Sequence, residues 1–222
     1  TVRTVLSYLF ATNITEVFLL LGALFLAVPL PLLPAMLLWI NIMTDGTMDI
    51  SLALEPARTR RGDPAPGKRR SLFRARDPVA LLYASLVMLV PTMLIYLFIL
   101  FSTGNVPFAR TMAFATFAST QILAAFSYRS LDRPVWELQP FGNPWLLGAV
   151  AISFALLVGT VTVPSLRELL GTVVLTPSEW IGVLGAAFAS ACLVELRKFL
   201  FPSRWRQQPR TAAHAWVPHP RD

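Results

Sequence analysis

Sulfur and imidazole chemistry are nearly missing from this chain, which has one cysteine, Cys192, and two histidines in 222 residues. A single cysteine excludes an internal disulfide framework, and Cys192 is expected to be a packing residue. Charge is scarce as well. Only 14% of the residues are Asp, Glu, Lys or Arg, against 55% hydrophobic and a mean hydropathy of +0.60. A soluble core accounts for that composition poorly, and a polytopic membrane protein accounts for it well. There is no internal repeat, no low-complexity tract and no glycine-rich phosphate-binding loop. The missing repeat counts against a secondary transporter built from inverted halves. Thr1 is followed by neither the short apolar region nor the small-residue cleavage site of a signal peptide. The expectation is a piece of a longer chain, the other reading being loss of an initiator methionine before a small residue.

What is present is a series of apolar runs separated by basic loops. The formal charge of +7 lies between or after these runs, a topogenic pattern, so no nucleic-acid partner is expected. A first span covers residues 4–28, interrupted only by Ser7, Thr12, Asn13, Thr15 and Glu16. Pro29, Pro31 and Pro34 stop that helix, because proline lacks the N–H that a continuing helix needs, and a second span returns over about residues 34–54. The next loop holds Arg58, Arg60, Arg61, Lys68, Arg69, Arg70, Arg74 and Arg76, which the positive-inside rule makes cytoplasmic. Spans three to six are expected at residues 78–102, with a kink at Pro91, then 110–128, 144–163 and 178–200. Residues 102–108 and the stretch around Arg167 and Glu168 are the expected external loops. Arg129, Arg133, Arg197, Lys198, Arg204, Arg206 and Arg210 mark the inner side, and Trp136, Trp145 and Trp180 fall where interface anchors belong.

The chemistry concentrates in Trp39-Ile40-Asn41-Ile42-Met43-Thr44-Asp45-Gly46. An Asp at the centre of a membrane helix costs about 2.5–3.5 kcal/mol on insertion scales, so an intramembrane carboxylate beside other oxygen ligands points to a cation or proton site. At helical spacing Asn41, Thr44 and Asp45 stand at i, i+3 and i+4 and share a face. Gly46 and Thr44 would let that helix loosen and free backbone carbonyls as further ligands. Asn13 and Glu16, three apart on the first span, bring an amide and a second carboxylate to membrane depth, so Glu16 and Asp45 can face each other across one hairpin. Two such carboxylates repel unless a cation or protons lie between them. Thr12, Thr15, Ser119 and Thr120 are more simply read as interhelical hydrogen bonds, worth about 0.6 kcal/mol each on average. Asp49 has three readings, as a third ligand, a charge on the access path or a snorkelling residue, the last two together being the stronger. All candidate ligands are hard oxygens, with no His or Cys among them, which argues against soft ions such as copper(I). Calcium wants about six to eight oxygens, so backbone carbonyls and at least one further helix would have to complete the shell.

Asn13-Ile14-Thr15-Glu16, a proline-broken hairpin and then Leu37-Leu38-Trp39-Ile40-Asn41-Ile42-Met43-Thr44-Asp45-Gly46 resemble the fifth and sixth transmembrane helices of type II cation-transporting P-type ATPases, calcium pumps and their bacterial relatives above all. The later spans resemble that family's helices seven to ten mainly by hydropathy. The resemblance implies that Asn13, Glu16, Asn41, Thr44 and Asp45 coordinate the transported ion. It also sets Gln121 where two-site calcium pumps carry a glutamate, which removes a charge, puts a two-calcium stoichiometry in doubt and leaves sodium–potassium-like selectivity open. Met48 and Asp49 depart from the proline and small residue usual in such pumps. The family's DKTGT phosphorylation motif, TGES loop and PEGL-like break are absent from these residues, so the resemblance implies that ATP and magnesium act only through other domains.

The expected fold is therefore an all-α membrane protein, a bundle of six transmembrane helices with both termini cytoplasmic. The expected layout is an ion-site hairpin at 1–56, a basic loop at 57–77, four further helices at 78–201 and a disordered tail at 202–222. The expected function is the ion-translocating C-terminal membrane domain of an ATP-driven cation pump in the plasma membrane. Calcium is the favoured cargo, with manganese, sodium or potassium as the others, and the lipid bilayer and the catalytic part of the pump are the expected partners. The alternative is a catalytically inactive membrane remnant or scaffold.

Overall fold

The structure is a computed structural model that describes residues 2–54, 77–131, 134–138 and 142–200, without the side chains of Asp45, Asp77 and Trp136. Most of the basic loop and the tail expected at 202–222 lie outside the described residues. Every regular element among the described residues is helical: α1 (Val2–Phe25), α2 (Pro34–Ile40), a π-helical turn (Asn41–Asp45), α3 (Gly46–Ala53), α4 (Asp77–Thr103), α5 (Val106–Tyr128), a 3-10 turn (Val135–Glu137), α6 (Pro144–Thr162), α7 (Pro164–Leu170) and α8 (Pro177–Leu200).

Polarity in these helices runs opposite to that of a soluble bundle. On α1 the buried stripe is Tyr8, Ala11, Thr12, Thr15, Glu16, Leu19 and Ala23, while Phe10, Val17, Leu21 and Leu24 are exposed. On α4, Ala84, Ser85, Met88, Thr92 and Tyr96 turn inward and Leu82, Leu86, Val90, Leu94 and Phe98 outward. Small and hydroxylated residues thus meet between helices and large apolar ones face outward, as packing in lipid favours. Among the described residues four helices are long and apolar enough to cross a membrane: α1, α4 from Pro78, α6 and α8. The stretch expected to be the second span is broken into α2, the π turn and α3, and α5 is too polar along its length to join the four.

That polarity is tolerable because α5 is the centre of the molecule. Every residue from 111 to 122 is buried, and α1, α3, α4, α6, α8 and the π turn all pack against α5. Where helices surround it on all sides, Ala, Ser and Thr let neighbouring backbones approach, and apolar side chains would gain nothing further. Helix α8 supplies the complementary ridge Val183, Ala187, Ser190 and Val194, all 0% exposed.

The connections are short and each has a physical cause. Helix α1 ends where Val28 N–H returns to the Ala23 carbonyl at 3.1 Å, with Ala27 left-handed at φ 54°. The Tyr96 hydroxyl donates to the Pro29 carbonyl, and Arg110 Nε to the Leu30 carbonyl at 2.8 Å, so α4 and α5 grip the hairpin link. Gly104 at φ 66° and Asn105 alone join α4 to α5, and Asn105 Oδ1 caps α5 by accepting from Phe108 N–H at 3.1 Å. Asn143 caps α6 through Leu146 N–H at 3.1 Å and donates to the Ser51 carbonyl at 3.0 Å, tying α6 to the end of α3.

Three expectations need correcting. Cys192 is exposed on α8 and is not a packing residue. The external loop around Arg167 and Glu168 is the short helix α7, started by Pro164 and closed by left-handed Gly171, φ 67°. The turn expected over 102–108 shrinks to Gly104 and Asn105, because α4 runs to Thr103 and α5 already starts at Val106, with Pro107 in its first turn.

At the end where α5 and α8 finish, charge is buried. Lys198 Nζ lies 2.9 Å from both carboxylate oxygens of Glu195, which also accepts from Val135 N–H at 2.8 Å. The Arg197 guanidinium lies 4.4 Å from the centre of the Tyr128 ring, which in turn meets Tyr8 edge-on at 5.5 Å.

Candidate ion-binding site

The hairpin α1–α2–α3 carries the candidate ligands, and the break in its second arm is local and specific. Over Asn41–Asp45 the helix widens by one residue, with Gly46 N–H bonded to the Asn41 carbonyl at i+5. Nothing in Asn41-Ile42-Met43-Thr44-Asp45 is a glycine or proline, and the β-branched Ile42 and Thr44 are stiff at χ1. Side-chain hydroxyls answer the carbonyls of this region: Thr44 Oγ1 donates to Ile40 O at 2.8 Å, and Thr47 Oγ1 and Ser153 Oγ both donate to Met43 O. The expected loosening is a widened turn, still hydrogen-bonded, and not an unwound one.

Within the turn the residues divide by depth. Thr44 and Met43 are buried, Asn41 is half-buried and Ile42 is 63% exposed. Thr44 Oγ1 lies 2.6 Å from Gln121 Oε1 of α5, which brings the sixth candidate ligand to the fourth. Gln121 is itself 0% exposed, and its backbone carbonyl accepts from the Tyr8 hydroxyl at 3.3 Å, so α1 and the π turn meet α5 at the same residue. Asn41 Oδ1 and Gln121 Nε2 are both buried with no hydrogen-bond partner among the described residues.

On α1, Glu16 is buried at 8% exposure, and Asn13 Nδ2 donates to Leu9 O at 2.8 Å. Thr15 ties this part of α1 to α4, donating to Ala11 O at 2.7 Å with Ser85 O at 3.2 Å, while Ser85 Oγ lies 3.0 Å from Ala11 O. Thr12 and Thr120 donate to Leu9 O and Thr116 O within their own helices, back-bonds in place of the interhelical bonds expected of them. Ser119 Oγ is buried and has no partner among the described residues. Asp49 is half-buried in the first turn of α3. The carboxylate of Asp45, and with it the facing of Glu16 and Asp45, lies outside the described residues.

The chemistry is that of mixed oxygen ligands. Among the described residues no group of three or more His, Cys, Asp or Glu could hold a metal ion. Amide and hydroxyl oxygens around few charges suit a hard cation that is taken up and released. Sequence reasoning missed Tyr8, Thr47 and Ser153. Thr47 was legible as a hydroxyl one turn after Met43, whereas Ser153 lies 110 residues from its acceptor and no local pattern announces it.

The described residues thus form a bundle of mostly apolar helices with hydroxyl and amide oxygens gathered at a widened turn in one arm of a hairpin. Residues 29–200 match the family described as "Cation transporting ATPase, C-terminus", and the chain belongs to that family as an integral membrane protein. It is 32% identical over 189 residues to the "Calcium-transporting ATPase" of Bacillus subtilis (strain 168), a match that spans 83% of this chain and 21% of that protein. It is 30% identical over 208 residues to the "Probable cation-transporting ATPase F" of Mycobacterium tuberculosis (strain ATCC 25618 / H37Rv), spanning 89% of this chain and 22% of that protein. A 26% identity over 204 residues links it to "Calcium-transporting ATPase 1" of Yarrowia lipolytica (strain CLIB 122 / E 150), spanning 91% of this chain and 22% of the relative. The chain thus spans about a fifth of the length of these relatives.

Proposed function

We propose that this chain is the ion-holding part of the membrane domain of an ATP-driven calcium pump in the plasma membrane, with six spans and the basic loops on the cytoplasmic side. Glu16 and Asp45 hold the cation and exchange it for protons. Asn13, Asn41 and Thr44 supply neutral oxygens, and Gln121 is a peripheral ligand. The two spans beyond the four long apolar helices are, in this reading, the second, made of the composite α2–π–α3 arm, and the fourth, α5, sheltered by its neighbours. The observation that carries the proposal is the meeting of Thr44 and Gln121 at the widened turn, 2.6 Å apart, beside a buried Asn41 oxygen with no partner among the described residues. Two carboxylates neutralise one divalent ion, and a neutral Gln121 adds no charge for a second, so one calcium per cycle is the expected stoichiometry. ATP, magnesium and the phosphorylated domain belong to the rest of the pump, which with the lipid bilayer is the partner of this chain.

The test is phosphoenzyme formation from ATP by the full-length native protein, compared with Asp45→Asn and Glu16→Gln, across calcium, manganese, sodium and potassium. Phosphoenzyme that requires calcium and is lost in both variants is the expected result. Dependence on another of the four ions replaces the cargo, and no phosphoenzyme under any ion overturns the pump in favour of a remnant or scaffold.

A further inference from the structure

The Met43 carbonyl is a point that two helices and the π turn share. Thr47 Oγ1 donates to it from the next turn of the same arm, Ser153 Oγ donates to it from α6 at 2.8 Å, and the two hydroxyls are 2.8 Å from each other. A carbonyl has two lone pairs and can accept from both, while the hydroxyl-to-hydroxyl contact lets either one serve if the other is lost. The surroundings are dry: Ser153 is 0% exposed and Met43 1%. A back-bond from Thr47 alone would be a commonplace of helices. The second hydroxyl is different, since it comes from another helix and lands inside the widened turn.

The turn needs such support. Its five residues contain no glycine or proline to impose the extra residue per turn, so the i+5 closure must be stabilised from outside the sequence that adopts it. Of the contacts that reach it, Gln121 touches the side chain of Thr44, whereas Ser153 touches the backbone. A backbone anchor fixes the positions of Asn41 and Thr44 together.

We propose that Thr47 and Ser153 are positioning residues for the ion site: their paired hydroxyls on the Met43 carbonyl hold residues 41–45 in the widened turn, with α6 as the strut. The proposal rests on the reading of that site as the place where the pump holds its cation. It makes ion affinity depend on a serine that touches no ion.

The experiment uses the full-length native protein and titrates calcium against phosphoenzyme formed from ATP, for Ser153→Ala, Thr47→Val, the double variant and Ser153→Thr, with thermal unfolding in detergent alongside. Half-saturating calcium should rise about 3- to 20-fold in the double variant, the span that corresponds to interhelical hydrogen bonds measured in membranes. Each single variant should move less, since the remaining hydroxyl still serves the carbonyl. The maximal phosphoenzyme level should stay at its wild-type value, and Ser153→Thr, which keeps the hydroxyl, should retain wild-type affinity. Unchanged half-saturation in the double variant overturns the positioning role, as does a lowered maximum and unfolding temperature at unchanged affinity, the mark of a purely structural bond. Wild-type phosphoenzyme that ignores every cation overturns the pump reading itself and this proposal with it.

Discussion

Thr44 has one hydroxyl proton and two close acceptors, Ile40 O at 2.8 Å and Gln121 Oε1 at 2.6 Å, while Gln121 Nε2 is buried with no partner among the described residues. Turning the Gln121 amide by half a revolution satisfies all of these groups at once. Nε2 then donates to Thr44 Oγ1, Thr44 donates to Ile40 O, and the amide oxygen takes the buried position as a free acceptor. An asymmetry between two substitutions follows. Thr44→Val leaves a buried amide N–H without an acceptor and should cost about 1–3 kcal/mol, whereas Gln121→Met leaves Thr44 bonded to Ile40 and should cost less than about 1 kcal/mol. Thermal unfolding in detergent measures both, and the double variant should lose less than the sum. Equal losses would mean that the amide keeps its oxygen on Thr44.

Elements show where a sequence speaks and where it is silent. The existence of α1 was legible, because a long apolar run acts locally, but the helix stops at Phe25, four residues before Pro29, where left-handed Ala27 closes it. The break near Gly46 was legible only as a tendency, since its form depends on Ser153 of α6, far along the chain. Helix α7 was hidden because Arg167 and Glu168 read as a polar loop, while the apolar Leu170 that anchors it is 1% exposed against the rest of the fold. The end of α1 carries its own imperfection. Ala27 holds φ 54°, where its Cβ crowds the following carbonyl at a cost of about 1–2 kcal/mol. Ala27→Gly should therefore stabilise the fold by up to about 1 kcal/mol once the greater freedom of glycine in the unfolded chain is counted, read as a raised unfolding temperature, and Ala27→Val should lower that temperature. A fall with glycine would show that this turn is unstrained.

Across the whole molecule, hydroxyls and amides gather at the middle of the bundle, and each end is fastened by other means. At one end Tyr96 and Arg110 hold the link after α1, and at the other the Tyr8–Tyr128–Arg197 stack joins α1, α5 and α8, while Glu195, paired with Lys198 on α8, holds Val135 N–H of the 3-10 turn. Helix α5 joins both ends and the middle, and it can be polar because no lipid reaches residues 111 to 122. That shelter exists only once the bundle is assembled. During synthesis α5 leaves the ribosome before α6 and α8 have been made, so that side of it is uncovered, although the groups that receive Arg110 and Gln121, at Leu30, Tyr8 and Thr44, have already been made. An apolar partner must already be waiting, and α4 is joined to it by two residues, too few for the helices to enter the bilayer apart. In a glycosylation-mapping assay α5 alone should insert in a minority of chains and the α4–α5 pair in most of them. That outcome would give the biogenesis of the domain an order, in which the helix that ends as its centre enters the membrane as the passenger of its predecessor.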